Sequence, residues 1–275
     1  MRIMLLFCIL ALVSLGRAGE VVNAVSHDSA RAYSYKGINQ QIRELADLLG
    51  LDSTRALQNA RNLPPLPEGA DAWFAVPSAN AIASKYFPQI ADPAERYTRS
   101  VELVISKIEE RRRLMYYEKA AAILEAVRRR EPRREHYDVR INRLLRQDRT
   151  ARLMTRVERD QKAEILFIAA QLGERYLGMS VDRVRDSFTD DATGSNQCGL
   201  GALEIGAILL THPYRLVSED EPIIVCSGDD SSPADMGYNF SPIFNYSRRD
   251  GMEFNHIYVG RNFPNYGSAT AFLPE

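Results

Sequence analysis

The stretch RDQKAEILFIAAQLGERYLG, residues 159–178, decides the fold. Within it Ile165, Ile168, Ala169, Leu172 and Tyr176 recur at the three- and four-residue steps of one helical face, and Gly178 supplies a terminator. On that spacing it ends a long helix running from about Arg134 to Leu177, with Ile141, Leu144 and Leu145 as earlier apolar positions. Upstream, Asp92-Pro93 is a helix start, a capping side chain followed by a proline suited to the first turn. From there Tyr97, Val101, Val104, Ile105, Ile108, Met115 and Ala122 keep helical spacing until Pro132 ends it. Two such helices joined near Pro132 predict a long antiparallel hairpin, poor in apolar residues and rich in arginine at its tip.

The flanks are shorter elements. GINQQIRELADLLG (37–50) places Ile38, Ile42, Leu45 and Leu49 on one face of an amphipathic helix closed by Gly50. The proline-rich run at 62–69 is a turn or linker, and Trp73 to Val76 is a short strand ended by Pro77. After Gly178, Ser180 caps a short helix to Phe188, and GLGALEIGAILLTHP (199–213) is an apolar helix in which Gly199, Gly201 and Gly206 serve close packing. Ile223 to Cys226, Pro242 to Tyr246 and Met252 to Val259 are strands, the last two flanking an Asp250-Gly251 hairpin signal. The expected fold is α+β and mostly helical, a long antiparallel helical hairpin plus a small C-terminal antiparallel sheet. The expected organisation is a signal peptide (1–18), an N-terminal helical and turn region (19–91), the Arg-rich hairpin (92–178) and an acidic α+β domain (179–275).

Composition sets bounds on class. The 275 residues include 13 Tyr and 10 Phe with a formal net charge of −1, which argues against wholesale disorder. No apolar run is long enough for a membrane span. Arg2 followed by the apolar run Ile3–Leu15, with Gly16 and Ala18 as small residues before a cleavage point, reads as a secretory signal, and the expected location is secreted or periplasmic. Loss of that segment removes Cys8 and leaves Cys198 and Cys226, expected to pair as a disulfide in an oxidising compartment. The near-neutral total hides a dipole: residues 107–160 carry 17 basic and 10 acidic side chains, and 161–275 carry 8 and 16.

Several groups are candidates for chemistry. Cys198, expected at the N-terminus of the 199–211 helix, and His256, in the strand FNHIYVG, form a possible thiolate–imidazole pair. Their order along the chain is similar to that of papain-like peptidases, including small bacterial cell-wall ones; the similarity implies, as an alternative reading, a secreted cysteine hydrolase of cell-wall peptidase type. Asp229, Asp230, Asp235 and Asn239 make an acidic loop without EF-hand spacing, expected to be solvated. The four histidines are scattered, so no metal site and no cofactor is expected. YSYKGINQQIRELADLLGL (33–51) with the prolines that follow loosely resembles a LysM module, which implies glycan binding.

The preferred expectation is a non-enzymatic binding protein. Its contact surface would be Arg128, Arg129, Arg130, Arg133, Arg134, Arg140 and Arg143 on the arm, or the acidic C-terminal domain. The expected partner is a protein or an anionic envelope component, with self-association of arm and acidic domain as a further use of the dipole. Nucleic acid is set aside for an exported chain. Four stretches stand out as distinctive without a role of their own: PEGADAWFAVP (67–77), GLGALEIGAILLTHPYRL (199–216), CSGDD (226–230) and YGSATAFLP (266–274).

Overall fold

The computed structural model describes residues 33–124, 148–189, 197–232, 237, 239–248 and 251–272. The signal-peptide segment, and the arm arginines Arg128, Arg129, Arg130, Arg133, Arg134, Arg140 and Arg143, lie outside the described residues.

Helix α1 (Ile38–Leu49) forms as its spacing requires: Ile38, Ile42, Leu45 and Leu49 are all buried, and Gly50 closes it in the left-handed conformation at φ 59°. Helix α2 (Thr54–Asn59) and the proline turn lead to strand β1 (Ala72–Pro77), buried along its whole length, and to α3 (Ala79–Tyr86). Helix α4 (Pro93–Leu124) starts where Asp92 caps it, the Asp92 Oδ1 accepting from Glu95 N at 2.8 Å.

The decisive stretch departs from its helical reading. Helix α5 spans Asp148–Gln161, Lys162 turns the chain at φ 48°, and Ile165–Gln171 is strand β2, buried at every position. A continuous apolar run satisfies a 3.6-residue period as readily as it fills a strand covered on both faces, so spacing alone does not separate the two. The β-branched Ile165 and Ile168 with Phe167 suit the pleated surface, and β2 is an interior strand. After α6 (Val181–Thr189), β3 (Gln197–Gly199), α7 (Ala202–Thr211), β4 (Ile223–Val225), β5 (Phe240–Ser247), β6 (Gly251–Tyr258), β7 (Tyr266–Ser268) and β8 (Thr270–Phe272) complete the order.

Two four-stranded sheets result, ordered β1-β2-β8-β3 and β6-β5-β4-β7. All pairs in the first are antiparallel; β4 and β7 run parallel in the second. The expectation of a mostly helical fold with one small C-terminal sheet is therefore corrected: strands run through the chain from residue 72 to 272, and the first sheet draws them from all three expected regions. Residues 33–37 form no strand and β1 pairs with β2, so the LysM layout is not adopted.

The long-helix hairpin is corrected as well. Helix α4 packs on α7 and α3, whereas α5 packs on β2, β3 and α2. Pairing of Trp73 with Ala169, Ala75 with Phe167, and Ala169 with Phe272 puts these residues on one face of the first sheet. Phe74, Ile168, Ala170, Ala271 and Cys198 take the other. That second face meets α1 and α7, and α7 is buried at all ten positions. Gly206 allows α4 to come close, since a Cβ there would lie 3.1 Å from Val104. The outer edge of β1, which no strand pairs, is sealed by fully buried Gln41 of α1, whose amide donates to Trp73 O (3.0 Å) and accepts from Ala75 N (3.0 Å), standing in for a neighbouring strand. Gln161 serves Phe167 in the same way, at 2.8 and 2.9 Å.

Candidate functional site

The first convergence of polar groups is at the N-terminus of α7. The free N–H groups there need acceptors, and Gly201 at the cap has no side chain to offer. Asp229, from the CSGDD turn, takes the role across the sequence: its Oδ2 accepts from Ala202 N at 2.7 Å and from the Tyr97 hydroxyl at 2.9 Å, while that hydroxyl accepts from Leu203 N at 3.3 Å. Glu204 lies against the same point, for a Cβ on Gly201 would sit 2.7 Å from Asp229 Oδ1 and from Glu204 Oε2. Burial, then the charge of Glu204, pushes the Asp229 carboxyl well above the usual range, so it holds a proton at pH where exposed aspartates do not.

Arg185 of α6 fixes the turn. It donates to Ser227 O (2.8 Å) and Asp229 O (2.7 Å) and pairs with Asp230 Oδ1 at 2.9 Å. Ser241 adds a bond to Cys226 O at 2.8 Å. Gly199 lets the turn approach, a Cβ there meeting Ser227 and Gly228 at 2.7 Å. Of the acidic loop expected to be solvated, Asp229 is instead the centre of a buried turn, at 0% exposure, and this is a correction; Asn239 is exposed, and Asp235 lies outside the described residues. Glycine packing is as the sequence reading has it. Asp229 as a helix cap was not legible, since nothing in its local sequence points to a helix 27 residues earlier.

Cys198 stands in β3, opposite Ala271, and not at the helix N-terminus, which begins four residues later. Burial, with Glu204 nearby, pushes its thiol up to about 12, opposite to what a nucleophile at neutral pH needs. Cys226 is fully buried, and burial, then the nearby Asp229, pushes its thiol well above the usual range. Both carry free thiols in this structure. His256 stands in β6 of the other sheet, its Nδ1 2.9 Å from Ser231 Oγ, and burial lowers its pKa. The Cys198 thiol is shifted by burial and Glu204, with no histidine among the causes.

At the other end of α7, arginines of the basic segment serve the fold. Arg111 donates to Leu210 O (2.7 Å) and pairs with Glu44 (2.7 Å), and Arg112 donates to Leu216 O (2.9 Å). His212 is fully buried among Tyr33, Tyr35 and Phe74; its Nε2 accepts from Lys36 N at 3.3 Å and its Nδ1 lies 3.0 Å from Ile208 O. Burial lowers it to about 4, so it is neutral at pH 7.

The second feature is open. A cavity of about 650 Å³ lies over the Trp73 face of the first sheet, floored by Trp73, Phe167, Ala169 and Phe272. Pro64, Pro65, Leu66 and Pro67 form one wall and Val157, Asp160 and Gln161 of α5 the other. Trp73 meets Phe167 edge to face at 5.9 Å. Two of its polar groups are already used: Asn59 donates to Gln161 O (2.7 Å), and the Gln161 side chain is bonded to Phe167. Its size and predominantly apolar walls are those of a small-ligand site. It was not legible in the sequence, because its lining is assembled from segments far apart along the chain, from Asn59 to Phe272.

Comparison with known proteins adds no relative: no family model, no curated protein and no solved structure matches the chain. Among the described residues there is no group of three or more potential metal ligands, and no helix is long and apolar enough to cross a membrane.

Proposed function

We propose that the protein is an exported binding protein, and that its ligand site is the apolar cavity between α5, the proline turn and the first sheet. The cavity carries this reading: it is the right size for a small molecule, and its floor presents aromatic surface. Two further features support it. The groups suited to catalysis by type, Cys198, Asp229 and His256, are buried or committed to holding the fold together. The first eighteen residues have the pattern of an export signal. Arg128 to Arg143, which precede α5 in the sequence, supply the basic charge that an anionic envelope component or protein partner would meet.

Trp73 is the sole tryptophan, and it lines the cavity. Titration with the neutral apolar fluorophore N-phenyl-1-naphthylamine therefore reads the site through energy transfer from one known donor. Saturable binding of one probe per chain is expected. Absence of saturable transfer in the folded protein overturns the reading.

A further inference from the structure

Resting on that reading, we infer that the cavity takes a single-chain anionic amphiphile, a long-chain carboxylate whose tail lies on Trp73, Phe167 and Phe272 and whose head meets the arginines of α5. The walls supply the tail's environment. Of the cavity's polar side chains, Gln161 is closed off by its bonds to Phe167 and Asn59 by its bond to the α5 terminus. A ligand with polar groups along its length would leave them unpaired inside.

The head follows from charge at the rim. Among the described residues of the lining Asp160 is the one ionisable group, and it lies between two guanidinium groups, Arg159 at 3.3 Å and Arg156 at 3.9 Å. One carboxylate shared by two arginines leaves a surplus positive charge beside the mouth. Both arginines are well exposed, at 72% and 46%, and so are free to turn toward an incoming anion. Glu158, the other acid of that turn, keeps its charge but is turned toward α3, where it accepts from Ser78 (2.7 Å) and Asn80 (2.8 Å). A cationic head would have Asp160 as its counterpart, and that carboxylate is already shared by the two arginines.

The test is contact quenching of Trp73 in the full chain by a brominated long-chain carboxylate, beside the brominated alcohol of the same chain length and a brominated quaternary ammonium analogue. Expected is saturable quenching by the carboxylate at least about fivefold tighter than by the alcohol, an advantage that shrinks as salt is raised. The variant R156E/R159E should erase the carboxylate's advantage and leave alcohol quenching unchanged, which also shows the cavity intact. Equal quenching by carboxylate and alcohol, indifferent to the double reversal, overturns the anionic head and leaves the apolar cavity standing. Tighter quenching by the ammonium analogue overturns it in favour of Asp160 as the reader. No quenching by any of the three overturns both this inference and the binding function on which it rests.

Discussion

The two faces of the first sheet have opposite fates. One face, with Phe74, Ile168, Ala170, Ala271 and Cys198, is sealed by a helix buried at every position, whose ends are satisfied by side chains from distant segments. The other, with Trp73, Phe167, Ala169 and Phe272, is only partly covered by α5 and leaves a cavity of about 650 Å³. Interiors are packed to near-crystal density, so a cavity of that size is surface left uncovered. The difference teaches where to look for each job: rare side chains in unusual ionisation states mark the face that holds the molecule together, and ordinary apolar side chains mark the face that is open to a ligand.

The same substitution made on both faces should break or sharpen that contrast. Leu203→Ala on the sealed face, at a fully buried position, is expected to cost about 4 kcal/mol, and Leu66→Ala in the cavity wall less than about 1, both read from urea unfolding midpoints. Equal losses would mean that the cavity wall is as tightly packed as the core. Asp229→Ala removes the acceptor for Ala202 N and Tyr97 and is expected to cost roughly 3 kcal/mol. Asp229→Asn, which retains an acceptor oxygen, should cost distinctly less.

The two ends of α7 should respond to pH with opposite signs. His212 is lowered to about 4 in the fold against 6.5 when free, so the unfolded chain binds the extra proton between those values. Its contribution is complete above about pH 6.5 and is lost as pH falls toward 4, on the order of 3 kcal/mol, and His212→Gln should flatten that slope in unfolding measured across the range. Asp229 is raised, so the folded chain holds the extra proton; its contribution is present below the ordinary aspartate range and declines as pH climbs through the raised value. Smaller still, Tyr97→Phe removes one bridging hydroxyl and should cost about 1 kcal/mol by the same denaturation assay. Finally, both thiols should resist alkylation at neutral pH in the folded protein and react on unfolding, because burial holds the Cys198 thiol near 12.

What the sequence made legible was whatever depends on neighbours along the chain. The stripe of α1, the Asp92 cap of α4, the β5–β6 hairpin and the packing glycines of α7 all follow from local spacing and turn chemistry. The stretch 159–178 was not legible, because a strand buried on both faces has no alternation to show, and the left-handed turn at Lys162 uses a residue with no preference for it. Strands β3, β7 and β8, of three residues each, are too short to carry a period, although one distinctive stretch, 266–274, contains both β7 and β8. The cavity and the Asp229 cap escaped for one reason: both are made by residues that meet only after the sheet has formed.

One residue, Ala269, separates β7 from β8, so a single run of seven residues supplies a strand to each sheet. Its N–H donates to Val225 O (3.0 Å) on one side and its carbonyl accepts from Leu200 N (3.0 Å) on the other. In the order of synthesis this run comes after every other strand, yet β8 lies inside the first sheet, between β2 and β3. A nascent chain that stops short of Tyr266 holds β3 without its partner, β4 without its parallel neighbour and the aromatic floor without Phe272. Neither sheet can therefore complete its pairing before residues 266–272 have been synthesised, which makes the fold rich in contacts between distant parts of the chain.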